Sequence, residues 1–189
     1  MKEKIQIIWL KKNLRIKDNA ILANINCENP SLAVYFFEPH IMNLPDYWDF
    51  HLKFTLESLL ELKPKLQALW IPLLILPYNA IEWFQYLNTI YEIDDIYSHE
   101  ETGNWETFMR DKKVLSWAKS SDIPVTEYHT NWVVRRLWDR DSWWAIWQDR
   151  MNMDIYEPQE KYLWANLQES DTKLSEETVK KYKNQISYL

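Results

Sequence analysis

The densest group of reactive side chains in this sequence is His99, Glu100, Glu101 and Thr102, with Asn104 close behind. Two carboxylates beside an imidazole are raw material for proton transfer or for a metal site. Acid–base catalysis would also want a nucleophile and a glycine-lined anion site, and a metal would want a second pair of ligands. Neither stands nearby, so ligand contact, helix capping and loop structure are the stronger readings. A second group, Lys11, Lys12, Arg15 and Lys17, lies in the loop KKNLRIKDN. Its cations could hold the carboxylate or phosphate of a ligand, or could sit in solvent. Arg15 and Asp18 are placed to pair with each other or to cap the following helix. A third group mixes Arg135, Arg136, Arg140 and Arg150 with Trp132, Trp138, Trp143, Trp144 and Trp147. Cations beside flat apolar faces can stack bases or pack against another protein. His40, His51 and His129 are read as ordinary surface or half-buried side chains, and Cys27 as a helix-end residue.

The totals narrow these choices. With 189 residues, one domain with a full core and a short tail is expected. A net charge of -6 argues against a surface that coats nucleic acid, so the arginine and tryptophan segment is read first as a protein interface. The single cysteine cannot form an internal disulfide or a cysteine-based zinc site. The start, MKEKIQIIW, has no leader pattern and no stretch is long enough to span a bilayer, so a cytoplasmic protein is expected. One glycine, Gly103, excludes the dinucleotide fingerprint, the P-loop and the glycine-flanked nucleophile elbow, each of which needs several positions without a Cβ. Twelve tryptophans exceed what such a core takes, which places some at a ligand site or at a docking surface.

The elements that must position these groups alternate. Ile5–Leu10 is a short apolar run, a strand covered on both faces. The basic loop follows, and Asp18 or Asn19 caps a helix to about Asn26. Leu32–Phe37 is a second strand, ended by Glu38 and Pro39. A long helix from about Trp48 to Leu69 carries Leu52, Leu56, Leu59, Leu60 and Leu66, with a kink or split expected at Pro64. Leu73–Leu76 is a third strand, and Asn79 caps a helix to about Tyr91 with Ile81, Phe84, Leu87 and Ile90 inward. A short strand at Asp95–Ser98 leads into the histidine and glutamate cluster, and Thr102 or Asn104 caps a helix to Ser120. Val125–Tyr128 is the fifth strand. Strict alternation predicts right-handed crossovers and a doubly wound, five-stranded parallel sheet with helices on both faces. In such sheets ligands bind at the carboxyl ends of central strands, where the first two polar groups lie. Residues 1–131 form this unit, and 132–189 an exit segment and polar tail with a last helix from Ser175.

The stretch IIWLKKNLRIKDNAIL resembles the opening of the cryptochrome and photolyase family, through Trp9, Lys11, Lys12, Leu14, Arg15, Asp18, Asn19 and Leu22. YSHEETGN with Thr107, Arg110 and Asp111 is similar to a segment of a bacterial branch of that family. NWVVRRL, DRDSW and WQDRM are similar to the segment leaving its α/β domain. The three matches run in order over about Ile5 to Met151. Where the family commonly has glycine, this chain has Trp70, Trp132 and Ser142, so those turns are expected to be remodelled or strained.

The resemblance implies a Rossmann-like sheet of order 3-2-1-4-5 and an antenna-type N-terminal domain. It implies that Lys11, Lys12, Arg15, His99, Glu100, Glu101 and Asn104 surround an antenna pigment, a folate, deazaflavin or flavin. Arg135, Arg136, Trp138, Trp143, Trp144 and Trp147 would form the docking face. The helical domain that holds the catalytic FAD in the family is not within this chain. No catalytic residue, metal or repair activity is therefore expected of the chain alone, and DNA is met only indirectly, through a separate flavin-binding domain. An unpartnered face of this kind also invites homodimers. Two rival readings are a pigment-free interaction module and a stand-alone nucleotide-binding domain of the stress-protein kind; the missing glycine-rich phosphate loop weighs against the latter.

Overall fold

Ile5 to Leu10 are buried without exception, which only a strand in the middle of a covered sheet can satisfy. In the computed structural model, which describes residues 2–130, 133–135 and 137–186, this is β1 (Lys4–Leu10). It is followed by α1 (Ala20–Asn24), β2 (Pro30–Phe36), a short α2 (Pro39–Met42), α3 (Asp49–Ala68) and β3 (Leu73–Leu76). Then come α4 (Ala80–Ile90), β4 (Glu92–His99), α5 (Trp105–Ser120) and β5 (Val125–Tyr128). All ladders are parallel, as the alternation implies, and the order is β3-β2-β1-β4-β5, as the resemblance implies. Trp9 lies beside Val34 of β2 and Ser98 of β4, which sets the ends of three central strands level.

Alternation along β1 divides the core. Ile5, Ile7 and Trp9 pack with Phe84, Leu87 and Val114 of α4 and α5, whereas Ile8 and Leu10 pack with Ile21, Leu56 and Leu59 of α1 and α3. Gln6, the one polar residue of the run, donates Nε2 to Asn29 O at 3.0 Å and Ser31 Oγ at 2.9 Å, so its burial leaves no donor unpaired there.

Three expectations are corrected. α3 runs unbroken through Pro64, which sits on the exposed side while Leu62 and Leu66 anchor the turns around it; Leu62, not Leu60, completes the buried stripe. α4 turns Ala80 and Trp83 inward with Phe84 and Leu87, and Ile81 and Ile90 stay half-buried. The segment expected to be a polar tail folds back. After α6 (Trp143–Met151), β6 (Leu163–Trp164) pairs with Pro30 and Ser31, beside the part of β2 that β3 leaves free, giving the sheet a sixth short strand. Then α7 (Glu169–Ile186) begins ahead of Ser175 and packs on β3 and α3. Its inward positions include Asp171, Ser175 and Thr178, because it lies along a sheet edge, where Ser175 Oγ accepts the Ile75 amide at 2.9 Å. Thr178 Oγ1 instead donates to Leu174 O at 2.7 Å, within the helix.

Helix ends show the cost of a chain so poor in glycine. α3 closes with Ile71 N donating to Leu66 O and Trp70 N to Gln67 O, both at 3.0 Å, and Trp70 holds φ 65. α5 closes the same way through Ile123 N to Ala118 O at 2.9 Å, with Asp122 at φ 54. The left-handed region costs a residue with a Cβ about 1–2 kcal/mol. At Trp70 part of this is offset by Lys161 Nζ, 3.9 Å from the ring centroid, a contact worth about 0.5–1 kcal/mol at an exposed site. Trp70→Gly is therefore expected to raise the unfolding free energy from urea titration modestly, and to raise it by about 0.5–1 kcal/mol more in a Lys161→Ala background, where the ring has lost its cation.

Candidate ligand clefts at the carboxyl end of the sheet

Beyond β1 the chain enters the basic loop, and its first cation turns inward. Lys11 Nζ lies 2.6 Å from Asp111 Oδ2, with both side chains 5% exposed, and 4.4 Å from the centroid of Trp9. Burial pulls its pKa down against the pull of Asp111. One turn of α5 supplies both Asp111 and Arg110. The Arg110 guanidinium reaches Glu38 Oε2 at 2.8 Å, Glu101 Oε2 at 2.9 Å and Asp111 Oδ1 at 2.8 Å. Burial works against this charge, but Asp111, Glu38 and Glu101 outweigh it and raise the pKa. Glu38 uses its other oxygen to accept the Ala80 amide at 2.9 Å, doing for α4 what Asn79 was expected to do; Asn79 Oδ1 instead meets His40 Nδ1 at 2.8 Å.

Lys12 joins from the surface, 3.0 Å from Glu101 Oε1, and the same oxygen accepts the Gly103 amide at 2.6 Å. Although burial opposes ionisation of Glu101, Lys12, Arg110 and that amide hold its pKa below the usual carboxylate range. A Cβ on Gly103 would stand 2.5 Å from Lys12 Nζ, 2.7 Å from Glu101 Oε1 and 2.8 Å from Thr107 Oγ1. This glycine thus serves close approach, not a turn.

Two clefts flank this network. The first, about 310 Å³, opens among the loops after β1, β4 and β5 and brings together Lys11, Lys12, Arg15, His99, Glu100 and Glu101. Arg15 is paired with Asp18 at 2.8 Å. His99 Nε2 accepts from Asn13 Nδ2 at 3.0 Å, and burial, Lys11, Arg15 and His129 push its pKa down to about 4, so the imidazole is neutral at pH 7. Thr130 Oγ1, also in the lining, is buried without a hydrogen-bond partner. The second cleft, about 480 Å³, lies between the ends of β1 and β2 and the α2–α3 turn, and is walled by Trp9, Tyr35, Phe37, Tyr47 and Phe54 over Glu38 and Arg110. Burial raises the pKa of Tyr35 and takes Tyr47 to about 12, so both phenols stay protonated. Lys11, Lys12 and Glu101 belong to both clefts.

Asn104 faces the second cleft. Its Oδ1 accepts the Thr107 amide at 3.0 Å and caps α5, while its Nδ2 donates to Asp46 at 2.9 Å. Tyr35, Tyr47, Glu38 and Phe54 carry no site signal in the sequence, and Arg110 and Asp111 stand out there only as part of a motif. Nothing local marks an aromatic residue in a strand as a cleft wall. Among the described residues no group of three or more His, Cys, Asp or Glu is placed to hold a metal ion.

The arginine and tryptophan segment divides. Arg135 turns back to Glu127 at 3.5 Å and Glu100 at 3.8 Å, at the first cleft. Trp138 is fully exposed. In α6, Trp147 stacks on both Trp143 and Trp144, with Trp144 and Trp147 centroids 5.0 Å apart, and none of the nine residues of α6 is buried. Arg150 ties α6 to the carbonyls of Thr130 and Val133 at 2.9 and 3.0 Å. Trp132 and Arg136 lie outside the described residues. Among the described residues no helix is long and apolar enough to cross a membrane.

The family model described as DNA photolyase matches residues 6–142. A search of curated proteins found no match. Among solved structures, an archaeal photolyase from Sulfolobus tokodaii, described with two FAD molecules that imply a novel light-harvesting cofactor, is similar at TM-score 0.70 and 19% identity, over 95% of this chain and 41% of that one. A cryptochrome from Synechocystis sp. is similar at TM-score 0.72 and 13% identity, over 89% and 39% of the two chains. A class III photolyase from Agrobacterium tumefaciens is similar at TM-score 0.73 and 18% identity, over 95% and 39%. At such identities the likeness is one of fold, and the chain spans about two fifths of the length of these structures.

Proposed function

The chain belongs to the DNA photolyase family, and we propose that it is a light-harvesting and docking part of a light-dependent repair or signalling protein. The observation that carries this reading is the second cleft, an aromatic-walled space of about 480 Å³ at the carboxyl end of β1. That volume and lining suit a planar heterocycle. Its floor carries Glu38 and Arg110 already paired to each other, so a neutral ring with hydrogen-bonding edges fits there better than a phosphate. A polar tail would cross Lys12 and run into the first cleft. There Lys12 and Arg15, both well exposed, can exchange Glu101 and Asp18 for a ligand anion, and the Thr130 hydroxyl offers an unused partner. Lys11 stays with Asp111 and, with His99, Glu100, Glu101 and Asn104, shapes the walls.

The test is the visible and near-ultraviolet spectrum of the purified protein with added FAD, a deazaflavin or a reduced folate. Flavin is the first to try, given the second FAD of the Sulfolobus protein. The expected result is a shifted absorption band with one of the three at micromolar affinity, weakened about tenfold or more by Tyr47→Ala. Absence of any shift while the fold is intact would overturn the pigment reading. A pigment-free interaction module would then stand, on the strength of Trp144 in α6 and Trp138 ahead of it, both exposed and suited to a separate helical, flavin-binding partner. No repair activity is proposed for the chain alone.

A further inference from the structure

A third cavity, about 390 Å³, lies between α4 and the first turn of α7 and shares no lining residue with either cleft. Its walls are aromatic, Tyr78, Trp83 and Tyr86, and its polar groups include two carboxylates, Glu82 and Asp171, with no Lys, Arg or His. Asp171 is 4% exposed. Its Oδ1 is held by the Tyr86 hydroxyl through a long 3.3 Å hydrogen bond, while Oδ2 has no partner at all. Trp83 Nε1 is likewise buried and unpartnered. Burial raises the Asp171 pKa against the side chains of Tyr86 and Ser170, which with its place in the first turn of α7 favour the anion. A buried carboxylate with one unused oxygen, among ring faces and with no cation in the lining, is an acceptor site without its donor.

We propose that this cavity binds a protonated amine carried on an apolar body, the class of an arylalkylammonium ion. The ammonium would donate to Asp171 Oδ2 and lie against the faces of the aromatic walls, as cations do over electron-rich rings. Trp83 Nε1–H could serve a hydroxyl or carbonyl elsewhere on the ligand. Entry requires Tyr86, 42% exposed, to swing aside, against its long hydrogen bond to Asp171 and its contact with the Ser170 side chain.

The probe is 2-phenylethylammonium, titrated into the full chain by calorimetry and by ligand-observed NMR at pH 7. The expected dissociation constant is about 0.1–1 mM, with 2-phenylethanol at least about tenfold weaker because it brings no charge. Asp171→Asn should weaken the amine about tenfold and leave the alcohol unchanged. Because Asp171 is buried, Glu82→Gln and Tyr86→Ala, at exposed positions, provide a second pair of readings, each expected to weaken the amine several-fold. Equal binding of amine and alcohol, amine binding indifferent to all three substitutions, or no binding up to about 10 mM would each overturn the proposal.

Discussion

Replacing Arg110 with leucine is expected to remove roughly 3–5 kcal/mol of stability, the cost of breaking a buried ion pair from one side. Three carboxylates meet this guanidinium, on Glu38, Glu101 and Asp111, and none of these side chains is more than 5% exposed. After substitution Asp111 keeps Lys11 and Glu101 keeps Lys12. Glu38 keeps only the Ala80 amide, so its second oxygen becomes a buried charge without a counterion. Most of the loss should therefore trace to Glu38, and Glu38→Gln should cost less in the Arg110→Leu background than in the native protein. Urea unfolding read at two salt concentrations provides the check. A desolvated network is screened little, so the difference between native protein and variant should survive added NaCl. A loss below about 1 kcal/mol, the range of surface ion pairs, would show that water reaches the network. Because natural domains hold only about 5–15 kcal/mol in total, this change is expected to be among the most damaging single substitutions at the site.

The contrast between Arg110 and Lys11 on one side and Lys12 and Arg15 on the other shows where sequence reading reaches its limit. All four cations carry the same local signal, a charged residue near a strand end or on a helix face. Two turn inward because carboxylates 38, 101 and 111, contributed by separate elements, converge at the end of β1. Convergence of that kind is a property of sheet order, not of neighbours in the chain. The sheet itself was legible, since β1, β2 and β3 are short apolar runs and the alternation forces parallel crossovers. The packing of Tyr162 and Tyr182 from the folded-back segment was not, because that segment is polar in sequence and finds its partners at β2, β3 and α3. Trp70 shows the opposite case. Its odd place at a helix end was visible as a bulky residue where glycine is usual, and the backbone there does adopt the left-handed conformation.

Acidification should expose His99. Its folded pKa is pushed down to about 4 from an ordinary 6.5 by burial first and by Lys11, Arg15 and His129 after it. A group whose folded pKa is depressed binds more protons when the chain is unfolded, so its contribution is intact above pH 6.5 and is lost as the pH falls toward 4. The shift corresponds to roughly 3 kcal/mol across that window. Other groups overlap with it. His129 is also depressed and acts in the same direction. Asp95 and Asp171, raised by burial, act in the opposite direction, because protonation relieves a charge that the folded state holds at a cost. Glu101, held low, begins to matter only below about its ordinary 4.5. The total curve mixes these signs, so the measurement is the difference between native protein and His99→Gln, unfolded by urea at pH 7, 6, 5 and 4. Glutamine can still accept from Asn13 but cannot take up a proton. The expected result is a variant that is the weaker of the two at pH 7 and loses its disadvantage by pH 4. Parallel curves would mean that the ring is hydrated, and that the wall of the first cleft opens more readily than its packing indicates.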